Sequence, residues 1–528
     1  MSIYTFIIFY DSYTVVPVLL QYLTSSIRTF SIMSDNGELR PISETSALLA
    51  DGGVQPSDHI AENYGTNAEE AWKQDRDIET TWQAESKLLF RYSAPLILTY
   101  LLQYSFNLVT VFVAGHLGTN ELGAASLASM TCNITGLCVY EGLATSLDTL
   151  TSQAYGAGKK QLVGLHVQRM VVVMAVATIP IGAIWLCSPF ILELIVPETE
   201  LAYLAGNFIR IYLIGAPGWA FFEAGKRFTQ AQGNFTASLA VLLVCAPLNI
   251  FFNWFFVWKL HWGFEGAALA VTVSNNLQPL LLVAYVQLFA RHTLVCWPPI
   301  HLPTIFSNWG PQLRLAGPGV LMVLCEWLAF DILTFSASYI STAHLAAQSV
   351  IMTVCVTMYH IPFPISIAAS TRFGNLIGSG ALAAARTTFR THYFLFIFIG
   401  IFDICLLTSL RHIIPQIFTE DTEVRQLITN VMPIVAAAQF FDATTALSNA
   451  LLRGLGRQSI GGYLNLGTYY LFAVPLSLLL TFGPPQLGLI GLWIGPCLGL
   501  MVCSLCLGSY MSYTNWEAAV EDARRREE

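Results

Sequence analysis

Charge is scarce in this 528-residue sequence: Asp, Glu, Lys and Arg supply 11% of it, against 55% apolar residues. A soluble chain of this length would need a far larger charged surface, so that class is excluded. The sequence carries no GxxxxGK[ST] phosphate loop, which removes the commonest device for ATP-driven work. Its 10 histidines form neither pairs nor an HxxxxD pattern, so a membrane-embedded enzyme is not expected, nor is a bound metal or cofactor. A basic excess is missing too: the formal net charge is -8, which argues against nucleic acid as a partner. The 11 cysteines fall within or beside apolar segments and suggest no disulfide framework. Cys503 and Cys506 form a CxxC, but in an apolar helical run without a second pair.

What is present is hydrophobic length. The mean hydropathy is +0.58, and 33 Phe, 21 Tyr and 12 Trp fit helices bathed in lipid and anchored by aromatic rings at the interfaces. From residue 90 onward, apolar segments of about 20 residues recur, each able to cross a hydrocarbon core of ~30 Å at ~1.5 Å per residue. Twelve are expected, at 91–114, 122–148, 165–190, 201–222, 236–258, 265–290, 311–338, 345–373, 389–411, 424–450, 459–483 and 488–513. The fold class is therefore all-α integral membrane.

Residues 1–87 read as a cytosolic, largely disordered tail. An apolar patch near its start lacks the basic flank and cleavage site of a signal peptide, and Met33 opens a more ordinary polar tail. Within it, Glu44-Thr-Ser-Ala-Leu48-Leu49 matches the acidic dileucine pattern that sorting adaptors read. With both termini cytosolic, 21 Lys and Arg residues lie on the inner side and only Arg210, Lys259, Arg411 and Arg425 outside. That asymmetry requires an even number of spans. Residues 293–310 then form a cytosolic linker between halves at 88–292 and 311–513, and 514–528 a cytosolic C-terminal tail.

The two halves repeat. At an offset of 223 residues, Ser93-Ala94-Pro95 meets Ala316-Gly317-Pro318, and Leu122, Ala124 and Ser126 meet Leu345, Ala347 and Ser349. After a one-residue slip, Gly156-Ala157-Gly158 meets Gly378-Ser379-Gly380. Six helices duplicated in the same orientation place a substrate path between two bundles that rock against each other. A monomer suffices for that architecture.

Ionisable groups at membrane depth are functional candidates by default. The seventh segment carries Glu326 and Asp331, and the tenth carries Asp442. Glu326 and Asp331 lie ~140° apart round a helix and do not share a face, though both can border one cavity. A desolvated carboxyl can carry a proton near neutral pH. Glu141, Asp148, Glu223 and Asp403 are read as structural. Gln103 and Asn107 share a face of the first helix and are candidates to line a cavity. His360, beside Pro362 and Pro364, either titrates or satisfies carbonyls that the prolines leave unpaired.

Four motifs carry a resemblance: Gly115-His116-Leu117-Gly118, Leu147-Asp-Thr-Leu-Thr-Ser-Gln153, Ala368-Ala-Ser-Thr-Arg-Phe-Gly-Asn375 and Arg453-Gly-Leu-Gly-Arg-Gln458. From about Leu88 to Tyr513 the chain resembles the multidrug and toxic compound extrusion (MATE) transporters, in their eukaryotic, fungal-looking branch. The resemblance implies two six-helix lobes around a central cavity and export of organic cations or amphipathic compounds in exchange for protons or sodium. It points to Glu326 and Asp442 as the acidic site. Animal members carry a glutamate where Thr353 stands here, a departure that bears on cation selectivity. The implied cycle is alternating access, with Glu326 and Asp442 holding a cation among aromatic side chains such as Trp327 and Tyr359 until protonation releases it. A lipid-linked sugar flippase of similar architecture is the alternative, for which a basic cavity would be expected. The dileucine motif favours the vacuolar over the plasma membrane.

Overall fold

The computed structural model describes residues 80 to 527, residue 197 excepted. The dileucine motif, Met33 and the remainder of the expected N-terminal tail lie outside the described residues. Within them the secondary structure is helical. α1 (Trp82–Leu117), α2 (Thr119–Gly156), α3 (Lys160–Leu186), α5 (Thr236–Lys259) and α6 (Gly263–Phe289) belong to the first half. α7 (Gly310–Ser338), α8 (Thr342–Ser379), α9 (Leu382–Leu410), α10 (Thr422–Leu455), α11 (Gln458–Phe482) and α12 (Leu489–Tyr513) form the second. These 11 are long and apolar enough to cross a membrane.

The twelfth span, α4, is interrupted. It comprises Thr199–Leu213 and Ala216–Ala231, separated at Ile214 and Gly215. Pro217 explains the interruption, because its ring cannot continue the preceding turn and suits the first turn of a new helix. Neither piece of 15 or 16 residues has the length to cross a bilayer; together they do. α4 also runs nine residues past its expected end at residue 222, and so carries Lys226 and Arg227 into the packed interior instead of an inner loop. α8 breaks at His360 and Ile361, just before Pro362, for the same reason. The first described turn, at Thr80 and Thr81, caps α1: Thr81 Oγ1 accepts from the Ala84 amide. Helix α1 thus begins inside the region expected to be tail.

The halves meet along a seam of small side chains. Gly142, Thr145, Thr149, Ser152 and Gly156 recur every three or four residues and so occupy one stripe of α2. Gly142 packs on the Val320 backbone of α7, and Ser152 on Gly374 of α8. Small residues let helix backbones approach closely enough for dispersion and hydrogen bonding to act where lipid offers no hydrophobic drive. The seam lies toward the helix ends that border the basic loops, whereas Asn107, on the opposite side of the membrane, is exposed and its neighbour Ser129 half-buried. The protein is closed on the side that charge assigns to the cytosol.

The C-terminal segment is ordered helix rather than loose tail. α13 (Trp516–Glu527) buries Trp516, Ala519 and Ala523, with Trp516 edge-on to Phe373 of α8 and Phe389 of α9. The linker is also held down. Gln168 Nε2 donates to the Pro298 carbonyl at 3.0 Å, and Arg169 reaches the Thr304 carbonyl at 3.1 Å.

Candidate functional site

Two polar centres are buried in the bundle, one per half. In the second half, the Tyr359 hydroxyl of α8 lies close to the half-buried Glu326 carboxyl on α7. Asp442 on α10 is buried and close enough for its carboxyl to interact with Glu326. The structure thus brings together two of the three acids that the sequence singled out, Glu326 and Asp442, with Tyr359 from a third helix. Asp331 does not join them: it lies by Tyr470 of α11 and Cys138 of α2. The ~140° between positions 326 and 331 accounts for the separation.

Two further residues belong with the acidic pair. Asp403 on α9 is 2% exposed, neighbours Asp442, and has no hydrogen bond to its Oδ2 among the described residues. Tyr469 on α11 is buried beside Glu326 and Asp442, and its hydroxyl is likewise unpartnered among the described residues. Asp403 is visible in the sequence as an acid inside a span; nothing there distinguishes Tyr469 from other aromatics.

The remaining cavity candidates divide. Trp327, Thr353 and Tyr359 are half-buried, and Thr353 Oγ1 donates to its own helix at Ser349. His360 Nδ1 donates to the Val356 carbonyl, while its ring packs 4.7 Å from that of Tyr104 across the two halves. Asn107 is exposed and accepts from Ser129 at 3.2 Å. Gln103, however, is tied into the first-half centre: its Nε2 donates to Glu223 at 3.1 Å and its Oε1 accepts from Lys226 at 3.2 Å.

That centre is an ion network. Glu223 lies 2.6 Å from Lys226 Nζ and 2.9 Å from Arg227 Nη1. Asp148 on α2 lies 3.1 Å from Arg227 Nε and 3.3 Å from Arg453 Nε, the latter on α10 of the other half. Lys226 also sits 4.7 Å over the Tyr100 ring. A buried charge is tolerated when paired and hydrogen-bonded, and these groups compensate one another. Reading Lys226 and Arg227 as loop charges, as their sequence context encourages, misses the network.

The end of α10 is where the halves are fastened. A helix terminus leaves carbonyls without intrahelical partners. Thr149 donates to the Arg453 carbonyl, Gln153 Nε2 to Gly454 at 2.8 Å, and Arg526 Nη2 to Leu455 at 3.1 Å. Gly456 ends the helix at φ 72°, and the Arg526 guanidinium occupies the space its side chain would need. Arg526 also donates to Gln153 Oε1 at 3.1 Å, joining α13 to both halves. Farther along, Arg372 of α8 binds both carboxylate oxygens of Glu85 on α1, at 2.6 and 3.1 Å.

Two repeated helical bundles meeting at a polar seam, with carboxyls buried in the second, define a membrane transporter. A family model described as MatE matches the chain twice, over residues 95–255 and 318–479, whose starts differ by the 223 residues of the internal repeat. The chain belongs to the MATE family of transporters. A transporter of Saccharomyces cerevisiae is 39% identical over 87% of this chain, which spans 66% of that relative. Multidrug and toxin extrusion protein 2 of Mus musculus is 34% identical over 84% of this chain and 77% of its own length. Among solved structures, the eukaryotic MATE transporter AtDTX14 superposes with a TM-score of 0.80 at 30% identity, covering 84% of this chain and 99% of that one. The Vibrio cholerae MATE transporter VcmN in its bent form, at 19% identity and a TM-score of 0.73, shares the fold.

Proposed function

We propose that this protein is a secondary active antiporter that exports organic cations or amphipathic metabolites and xenobiotics in exchange for protons. The observation that carries the reading is the meeting of Glu326, Asp442 and Tyr359 inside a half whose cytosolic side is sealed. Ionised carboxyls hold a cation arriving from the cytosol. After the halves rock, protons entering from the other side neutralise the carboxyls and release it. One pH unit corresponds to ~1.4 kcal/mol, so one proton exchanged for one monovalent cation across two units sustains about 100-fold accumulation.

The name of the mouse relative, a multidrug and toxin extrusion protein, supports the substrate class. A flippase for lipid-linked pyrophosphates would want uncompensated positive charge, whereas Lys226, Arg227 and Arg453 each face Glu223 or Asp148. Residence in the vacuolar membrane, with an adaptor reading Glu44-Leu48-Leu49, belongs to the same proposal.

The test is flux of a fluorescent organic cation into vesicles holding the purified protein under an imposed pH gradient, compared with Glu326→Gln. Gradient-driven flux that disappears in the variant supports the reading. Folded wild type that moves no cation under either a proton or a sodium gradient overturns it and favours a lipid or uncharged substrate.

A further inference from the structure

The ion network of the first half leaves one member over. Glu141 on α2 is 9% exposed and makes no hydrogen bond or ion pair among the described residues. Its surroundings are already committed: Glu223 binds Lys226 and Arg227, and Asp148 binds Arg227 and Arg453. The charged or titratable groups around it are Glu223, Lys226 and Arg227 from α4, Arg453 from α10, Tyr100 from α1, and Cys138 one turn away on its own helix, with Asp331 of α7 beyond Cys138.

A second group in the same place is also unsatisfied. Tyr100 is 8% exposed and its hydroxyl has no hydrogen-bond partner among the described residues, though it lies among Glu141, Glu223 and Asp148. Two acids here share three cations, so an ionised Glu141 balances the network's charge; what a desolvated carboxylate at this position lacks is a hydrogen-bond donor, and protonation removes the cost of leaving it bare. A metal ion is a poor alternative occupant, because Lys226 and Arg227 repel it and no group of three or more His, Cys, Asp or Glu able to hold one occurs among the described residues.

We propose that Glu141 is a second proton-carrying site, in the first half, loaded when the cytosolic seam is closed and emptied when it opens. The inference rests on the antiport reading above. The gate is the neighbouring residue: Gly142 lies against the Val320 backbone of α7, so parting of the halves removes the wall beside Glu141. Water from the cytosol then takes the proton as hydronium and leaves the carboxylate. After the seam recloses, the carboxylate takes a proton from the opposite aqueous side. Each turn of the cycle thereby moves this proton in the same direction as the one exchanged at the Glu326–Asp442 pair, and the exchange carries two protons per cation.

The experiment uses the full chain in lipid vesicles with the membrane potential clamped to zero. Infrared difference spectra between acidic and alkaline buffer count protonated carboxyls in wild type, Glu141→Gln, Glu141→Asp and Glu326→Gln. In parallel, the limiting accumulation of a monovalent organic cation is read at a one-unit pH gradient. The expected result is a carboxyl band lost in Glu141→Gln, still present in Glu326→Gln and recovered in Glu141→Asp. Accumulation is expected to fall from about 100-fold to about 10-fold on losing one of two protons. A spectrum unchanged in a folded Glu141→Gln, or a wild-type limit of about 10-fold that the variant shares, overturns the proposal. If wild type shows no pH-driven accumulation, the antiport reading fails, and the infrared band alone decides whether Glu141 carries a proton.

Discussion

Gly156 of α2 packs against the backbone carbonyl of Asn375 on α8 with no room for a side chain. Its repeat partner Gly378 packs in the same way against Gln153, the repeat counterpart of Asn375. The closed seam is therefore a pseudo-twofold contact, built twice from one duplicated motif. Gly378→Val is expected to block closure while leaving each half folded. Overpacking of this kind costs ~1–3 kcal/mol, which moves an equilibrium by about 5- to 150-fold. Loss of substrate accumulation with a normal melting profile would bear this out; unimpaired accumulation would show that the seam never needs to close this tightly.

Asp148 neutralises one arginine from each half, 3.1 Å from Arg227 and 3.3 Å from Arg453. Asp148→Ala leaves both cations buried without that partner, and breaking a buried pair from one side costs ~3–5 kcal/mol. Thermal unfolding of the solubilised protein should show a clearly lower midpoint for Asp148→Ala. Arg453→Met in the same background should restore part of the loss. A midpoint equal to wild type would mean that water, not Asp148, compensates the arginines.

Much of this architecture was legible beforehand, because hydropathy and the repeat are properties of long stretches. The matched family segments fall on the two halves at the spacing that Ser93 and Ala316 already set. Glu326 and Asp442 were legible because an acid in an apolar run has no ordinary reason to be there. The first-half network was not. Lys226 and Arg227 follow an apolar segment near its inner end, where loop charges normally fall, and their burial depends on partners distant in sequence, Gln103 for Lys226 and Asp148, 79 residues away, for Arg227, besides Glu223 on their own helix. Helix α13 was missed because its apolar face is short and its neighbours Phe373 and Phe389 lie more than 100 residues upstream.

Arg526 fastens α13 across the seam through Gln153 and the Leu455 carbonyl. Hydrogen bonds from a charged donor are worth ~1.5–3 kcal/mol, so Arg526→Ala should raise the population open to the cytosol by roughly ten- to hundredfold. Spin labels at Gln161 on α3 and Arg386 on α9, both exposed on the side of the basic loops, read that opening as a second, longer distance. An unchanged distance distribution would limit α13 to bracing the second half.

Tyr359 lies close to Glu326, and its phenol can donate to the carboxylate or accept from the protonated acid, but a donated bond to a charged acceptor is the stronger of the two. As donor it favours the carboxylate, the form that holds the cation. Tyr359→Phe keeps the ring stacked on Phe363, whose centroid lies 5.2 Å away, and removes only the donor. The expected consequence is weaker cation capture from the cytosol with proton-driven release intact. At ~1–3 kcal/mol for a donor to a charged acceptor, the half-saturating substrate concentration should rise by about 5- to 150-fold, with little change in the maximal rate. Substrate-dependence curves in vesicles separate the two parameters. A fall in maximal rate at unchanged half-saturation would place Tyr359 in the proton step instead.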